Sequence, residues 1–408
     1  MQINDLINIV RKSKFMKYNF DEMIDRSGTF AAKLDAMPEG AVEGSLSVWV
    51  ADMDFACAQP ILDALHARID KKIFGYTMYS NDELSNAVTG WFRRNYDWEI
   101  PKEDIFFSPG VVPTLAFLLN ILTEEGDGVI IQRPVYYPFT NKITSNGRRV
   151  CNSSLLYEAD GYKMDFADLE EKFSDPEIKG MILCSPHNPV GRVWSNTELR
   201  QLVDIAKKYN KWIISDEIHM DLTRKGVTHT PLLKVAPDYA DQIVVCTAPS
   251  KTFNMAGMQI SNIIISNKDW QQKWTDLVEG KYSVNMANPF GIVATIAAYN
   301  EGQEWLDQLR DYLDNNIELI EDYLKKYLPK AKMFVPEATY LVWIDLNAYE
   351  SDPQKLEYNM QKKAKIAFDE GYIFGEEGNG FERINIAMPS SRVLECLDRM
   401  TAVLNTID

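Results

Sequence analysis

The strongest constraint on the fold is a series of short apolar runs, each closing on a polar or turn-forming group. From Asp104 onward they read Ile105-Phe106-Phe107 into Ser108-Pro109-Gly110, Gly128-Val129-Ile130-Ile131 into Arg133-Pro134, and Lys179 to Cys184 into Ser185-Pro186-His187-Asn188-Pro189. Trp212-Ile213-Ile214 then runs into Ser215-Asp216-Glu217, and Ile243-Val244-Val245-Cys246 into Thr247-Ala248-Pro249-Ser250-Lys251. Such unbroken runs suit strands buried on both faces, and their alternation with helical patterns over 112–122 and 196–209 implies a largely parallel sheet covered on both sides. Further strands are expected near Arg149-Val150-Cys151 and from Ile260 to Ser266.

Upstream, a short helix near the start of the chain is expected to give way to an irregular stretch at Ser27-Gly28-Thr29. Val48 to Phe55 reads as a short strand ending in two carboxylates, Asp52 and Asp54. Pro60 suits the first turn of a helix reaching Ile69, Phe74 to Thr77 reads as a turn, and Asn81 as the cap of a helix over 82–95. Downstream, 290–328 is a helical region whose Leu306, Leu309, Leu313, Ile317, Ile320 and Leu324 are packing positions. From Lys332 short strands alternate with helices in a second, smaller layer. At 408 residues the chain exceeds what one core usually holds. We expect a large domain over 61–295 and a smaller α+β unit from 1–60 with 296–408. No low-complexity tether separates them, so they should be packed directly together.

A net charge of −16 argues against nucleic acid and anionic membrane as partners. No apolar run approaches membrane-spanning length, and the N-terminus reads as lacking a signal-peptide core. Cys57, Cys151, Cys184, Cys246 and Cys396 are scattered without a CxxC pair, which fits reduced thiols in the cytoplasm. The four histidines show no metal-ligand spacing, so no metal is expected.

Ligands of open α/β sheets bind beyond the strand ends. An isolated lysine is more often a solvated surface residue than a reactive one. Lys251, however, follows a buried strand, where desolvation frees an amine for nucleophilic or proton-transfer work. Asp216, at another strand end, is costly without a cation; a protonated pyridine nitrogen, an arginine or a helix N-terminus would each serve. Asn188 either donates its amide to a phenolate oxygen or starts the turn before Pro189. Tyr136 either stacks on a ring or is a core tyrosine. Gly110, Val111 and Val112 precede a helix and offer free amides to a phosphate, as many strand–helix turns do. Thr247 and Ser250 add hydroxyls. Together, on ends of one sheet, these residues specify far more than any one alone.

With these stretches the sequence resembles the fold-type I pyridoxal-phosphate (PLP) enzymes of the class I/II aminotransferase superfamily. Within that superfamily it is most similar to the MalY/PatB group of cystathionine β-lyases and C–S lyases. The marks are Trp49-Val50-Ala51-Asp52-Met53-Asp54-Phe55, Phe74-Gly75-Tyr76, Pro186-His187-Asn188-Pro189-Val190-Gly191 and Ser215-Asp216-Glu217-Ile218-His219. Ser250-Lys251-Thr252-Phe253-Asn254, Phe374-Gly375-Glu376-Glu377-Gly378 and Arg383-Ile384-Asn385-Ile386-Ala387 complete the pattern. The resemblance implies Lys251 as the lysine that carries the cofactor, Asp216 as partner of its pyridine nitrogen, Asn188 at its ring oxygen and Tyr136 stacked on the ring. The phosphate would lie on Gly110, Val111, Val112 and Ser250, with Tyr76 entering from the other subunit of a homodimer. Arg383 would clamp the substrate α-carboxylate. One departure stands out: many relatives place a phosphate-binding arginine shortly after the lysine, and here Met255-Ala256-Gly257-Met258-Gln259 follows instead.

The implied activity is cleavage of cystathionine or S-substituted cysteines to thiol, pyruvate and ammonia. Transamination of an amino acid with a 2-oxo acid uses the same residues and is the alternative; a regulatory protein keeping the fold is a remoter one. Arg192 and Arg224 are candidates for a second carboxylate site. Trp49, Tyr340 and Trp343 are either pocket walls or plain core, and His219 is expected to support the cofactor site from behind.

Overall fold

The computed structural model describes residues 17–407; the helix expected near the start of the chain lies largely outside them. Its centre is a seven-stranded sheet. In chain order the strands are β1 (Ile105–Ser108), β2 (Gly128–Ile131), β3 (Arg149–Asn152), β4 (Ile178–Cys184), β5 (Trp212–Asp216), β6 (Ile243–Thr247) and β7 (Ser261–Ile265). They lie in the order β1-β7-β6-β5-β4-β2-β3. β7 pairs antiparallel with both its neighbours, and the other pairs are parallel. The period of two along each strand sends its side chains into separate cores. Val129, Ile131, Ile182, Ile214, Val244 and Ile263 enter one, whereas Ile130, Met181, Leu183, Ile213, Val245 and Ile264 enter the other. Two covered faces explain why the runs are continuously apolar.

Helices α1 (Gln59–Ile69), α2 (Asp82–Tyr96), α3 (Val111–Leu122), α4 (Pro138–Ser145) and α5 (Asn196–Lys208) fall where the sequence places them. Asn81 caps α2 by accepting from the Leu84 amide at 2.8 Å. The helical region downstream is two helices, α6 (Pro289–Glu301) and α7 (Gln303–Tyr327). They break at Gly302, where a Cβ would lie 2.5 Å from both the Ala298 carbonyl and the Phe253 ring. A smaller antiparallel sheet follows, ordered β8-β9-β11-β10: β8 (Lys332–Met333), β9 (Leu341–Asp345), β10 (Asp369–Glu370) and β11 (Phe381–Asn385). Helix α8 (Ser390–Leu404) closes the chain against α7, with Tyr323 donating to Asp398 at 2.6 Å. Among the described residues, no helix is long and apolar enough to cross a membrane.

Two expectations are corrected. Phe74 to Thr77 forms no turn; it is part of an irregular, largely exposed segment between α1 and α2. Val48 to Phe55 is not a strand either, since regular pairing is confined to Leu46–Ser47 against Ile366–Ala367. The residues beyond form an irregular strap, because side chains from several directions take its carbonyls and leave no continuous ladder. Arg383 Nη2 donates to Trp49 O at 2.7 Å, and Asn385 Nδ2 to Val50 O at 2.6 Å and Asp52 O at 2.8 Å. Asn254 Nδ2 donates to Met53 O at 3.1 Å and Phe55 O at 2.8 Å. The carboxylates of the strap pair with the N-terminal segment, Asp52 with Arg26 at 2.6 Å and Asp54 with Lys33 at 2.8 Å.

Candidate active site

The parallel strands stop at one edge of the sheet, and a cavity of about 180 Å³ opens there. Gly110, Val111, Val112, Tyr136, Asn188, Asp216, Ser250 and Lys251 all line it. Each arrives by local geometry. Asp216 is the last residue of β5, and Asn188 lies four residues beyond the end of β4. Lys251 sits on a single helical turn, Pro249–Thr252, after β6. Gly110 precedes α3, so the amides of the first turn of that helix face the cavity's rim.

Lys251 Nζ donates to Ala51 O of the strap at 2.6 Å. Burial pulls its pKa down to about 8; the Asp52 charge opposes this, Arg383 adds to it and Asp216 opposes it. Among the described residues the Asp216 carboxylate receives one hydrogen bond, from the Ile218 amide at 3.1 Å. Burial pushes its pKa up to about 7 against that bond, with Glu217 raising it further and Lys251 lowering it. No side chain among the described residues makes an ion pair with it at contact distance. The arrangement is a buried carboxylate facing open space, which is costly unless a cation enters.

His219 also lines the cavity. Its Nδ1 is buried and without a hydrogen-bond partner among the described residues. Burial, then the charges of Lys251 and Arg383, lower its pKa to about 3, so the ring is neutral. The Tyr136 amide donates to Asn188 O at 3.1 Å, fixing these two loops relative to one another. Thr247 turns away, its hydroxyl donating to Asn262 O at 3.3 Å.

Two expected residues stand apart from the cavity lining. Arg383 is 1% exposed on β11 and reaches the site indirectly: Nη1 donates to Asn188 Oδ1 at 3.1 Å, which leaves the Asn188 amide donors free for the cavity. Tyr76 is 96% exposed on the segment between α1 and α2. Neither Arg192 nor Arg224 lines the cavity or bonds to a side chain that does. Arg192 pairs with Glu198 and Glu337, each at 3.0 Å, and Arg224 with Asp314 at 3.0 Å. Trp343 is core, its indole donating to the Tyr162 hydroxyl at 3.0 Å. Trp49 donates to Lys33 O at 3.2 Å, and Tyr340 to Ala51 O at 2.9 Å beside the lysine.

Three participants escaped the sequence reading: the Ala51 carbonyl, Asn254 as an anchor of the strap, and Asp369, which pairs with Arg383. Asn254 lies in the lysine stretch and was findable by position. The other two depend on contacts between distant parts of the chain.

Residues 50–400 match the family described as aminotransferase class I and II. The chain is 40% identical over 388 residues to cystathionine beta-lyase PatB of Bacillus subtilis (strain 168), covering 95% of this chain and 100% of that protein. It is 34% identical over 378 residues to protein MalY of Escherichia coli (strain K12), covering 92% and 96%. Among solved structures, the PLP-bound C-S lyase from Staphylococcus hominis superposes with a TM-score of 0.89 at 36% identity, covering 95% of this chain and 99% of that one. With its residues 50–400 matched and this fold around a strand-end lysine, the chain belongs to the class I and II aminotransferase family.

Proposed function

We propose that the chain is a PLP-dependent carbon–sulfur β-lyase that cleaves cystathionine or other S-substituted cysteines. The observation that carries this reading is Asp216: a buried carboxylate, raised to about 7, at the wall of a cavity that also holds a desolvated lysine. A heterocycle with a protonated nitrogen would supply the cation it lacks. The free amides at the start of α3 and the Ser250 hydroxyl suit a phosphate, and Tyr136 offers a ring face. When bound, PLP supplies an electron sink for the bond-breaking at the amino-acid Cα.

The chain's own groups do the rest. Lys251 would hold the cofactor, and its amine is placed to take the Cα proton. The low polarity that lowers its pKa to about 8 keeps a useful fraction of the amine unprotonated near neutrality. Asp216 would keep the pyridine nitrogen protonated, and Asn188 would donate to the ring oxygen. Arg383 binds the substrate α-carboxylate and thereby orients the Cα–H bond. Retention of the departing sulfur substituent's electrons gives a thiolate; the remaining fragment hydrolyses to pyruvate and ammonia. Arg192 and Arg224 lie off the cavity and bond to none of its side chains, unlike Arg383, which reaches Asn188; the loss of these two candidates for recognising a dicarboxylic 2-oxo acid favours elimination over transamination.

In the same reading, 61–295 form the cofactor-holding unit, and 1–60 with 296–408 the clamping unit. Ile73, Phe74, Tyr76, Met78 and Met286 form an exposed apolar surface, with Met78 bridged to Met286. This supports a homodimer in which Tyr76 reaches a neighbour's site. The five cysteines are unbridged, in keeping with the cytoplasm.

Incubating the cofactor-loaded protein with L-cystathionine and no 2-oxo acid tests the reading. Continuous formation of pyruvate is expected. Absence of pyruvate, with a new amino acid formed only when a 2-oxo acid is added, would overturn it in favour of transamination.

A further inference from the structure

Arg383 already holds a carboxylate. β10 and β11 run antiparallel with Asp369 directly opposite Arg383, so their side chains meet on one face of the small sheet. Asp369 Oδ2 accepts from Arg383 Nη2, with the two side chains only 7% and 2% exposed. Arg383 Nη2 also donates to Trp49 O at 2.7 Å, so both its hydrogens are engaged. Arg383 Nη1 gives one hydrogen to Asn188 Oδ1 at 3.1 Å, and the Phe374 ring covers the guanidinium at 4.9 Å. Its Nε is buried and has no partner among the described residues.

A carboxylate makes two parallel bonds to a guanidinium on one of two edges, Nε with Nη2 or Nη1 with Nη2. Both edges include Nη2. A substrate carboxylate therefore finds no two-bond edge free while Asp369 and the Trp49 carbonyl stay in place. Asp369, by contrast, takes a single bond and leaves the Nε donor unsatisfied. A ligand using the Nε–Nη2 edge would gain the bond that Asp369 forgoes. One guanidinium also cannot balance two buried carboxylates without cost.

We propose that Asp369 is a built-in occupant of the Arg383 clamp, which the substrate α-carboxylate must displace, so that Asp369 weakens the binding of every carboxylate ligand. The inference rests on the reading of Arg383 as the carboxylate clamp. It makes Asp369 a determinant of affinity acting through Arg383, opposite in sign to a residue that merely orients the arginine.

The test is Asp369→Asn in the cofactor-loaded enzyme, which keeps the side chain's shape and removes its charge. KM for the amino-acid substrate, and the inhibition constant of propionate as an unreactive carboxylate, should both fall by about tenfold, the scale of one charge-assisted hydrogen bond. kcat should change much less. A rise in both constants, or no change, would overturn the proposal, because an orienting carboxylate is needed for tight binding. The wild-type enzyme provides a check independent of that variant's folding. In a crystal structure with a bound α-amino carboxylate, the Asp369–Arg383 hydrogen bond should be broken; a retained bond overturns the displacement. Arg383→Lys separates the two layers of the argument. If propionate inhibits that variant as it does wild type, the clamp assignment itself has failed. If inhibition weakens there while Asp369→Asn binds no tighter, only the displacement has failed.

Discussion

The cavity has two walls of different origin. One is the sheet edge, where Asn188, Asp216 and Lys251 each stand within a few residues of a strand end. The other is the strap over Val48 to Phe55, together with β11. Its bonds join Asn254 to Met53 across 201 positions, Arg383 to Trp49 across 334 and Asn385 to Val50 across 335. The first wall is positioned by local backbone geometry and the second by long-range bonds from side chains to carbonyls. The difference bears on function. The sheet edge presents its groups from backbone fixed by the strands, whereas the strap is held against Lys251, Arg383 and the N-terminal segment by side-chain bonds.

Substitutions on the two walls should fail in different ways. Lys251→Ala should reduce pyruvate formation by at least ~10³-fold, since it removes both the attachment and the proton carrier. In the cofactor-free protein its melting temperature should change little, since relief of a desolvated amine offsets loss of the bond to Ala51 O. Asp216→Asn should lower kcat by ~10²-fold or more as a fixed charge is lost. In the cofactor-free protein the same change should stabilise. The Asp216 pKa is raised from 3.8 to about 7 in the folded chain. The cost of burying its charge is therefore absent below the ordinary carboxylate range, grows as pH rises, and is complete above the folded value. Asn never ionises, so the gain should approach ~4 kcal/mol at pH 8, fall below ~1 kcal/mol at about pH 4 and vanish below about pH 3. Denaturant midpoints at several pH values measure it.

On the strap wall the pattern should reverse. Asn385→Ala removes donors to Val50 O and Asp52 O. It should cost ~2–3 kcal/mol of stability and raise KM more than it lowers kcat. A loss of kcat matching that of Asp216→Asn, with KM unchanged, would break the distinction between the walls.

The smallest effect is expected behind the clamp. Glu370 and Glu382 face each other across the same strand pair. Burial raises Glu370 to about 7, and Glu382, raised by burial and then by the charge of Glu370, lies well above the usual carboxylate range. The stability their protonated form provides is lost as pH rises through these values. Glu382→Gln should therefore melt higher than wild type at pH 8.5, with the gap narrowing towards pH 6.

How much of this was legible in the sequence follows the same division. The apolar runs specify strands because both sheet faces are covered, and the polar residue after each run is thereby delivered to the sheet edge. Asn188, Asp216 and Lys251 needed no tertiary information beyond that. Val48 to Phe55 carries the same apolar character and so reads as a strand. What decided its conformation was competition for its carbonyls by Arg383, Asn385, Lys251 and Asn254, none of them near in sequence. Asp369 could not be found as the partner of Arg383 because only the register between β10 and β11 brings them together. The break at Gly302 was likewise hidden, since it depends on the approach of the Phe253 ring.

The central claim is that the strand-end cavity around Lys251 holds the cofactor covalently. Borohydride fixation of the cofactor-loaded protein, followed by peptide mass mapping, tests it most directly. A pyridoxyl mass is expected on the peptide containing Lys251. Lys33 and Lys211, at 1% and 8% exposure, are the most buried lysines among the described residues. A stoichiometric tag on either of them, with Lys251 unmodified, would contradict it.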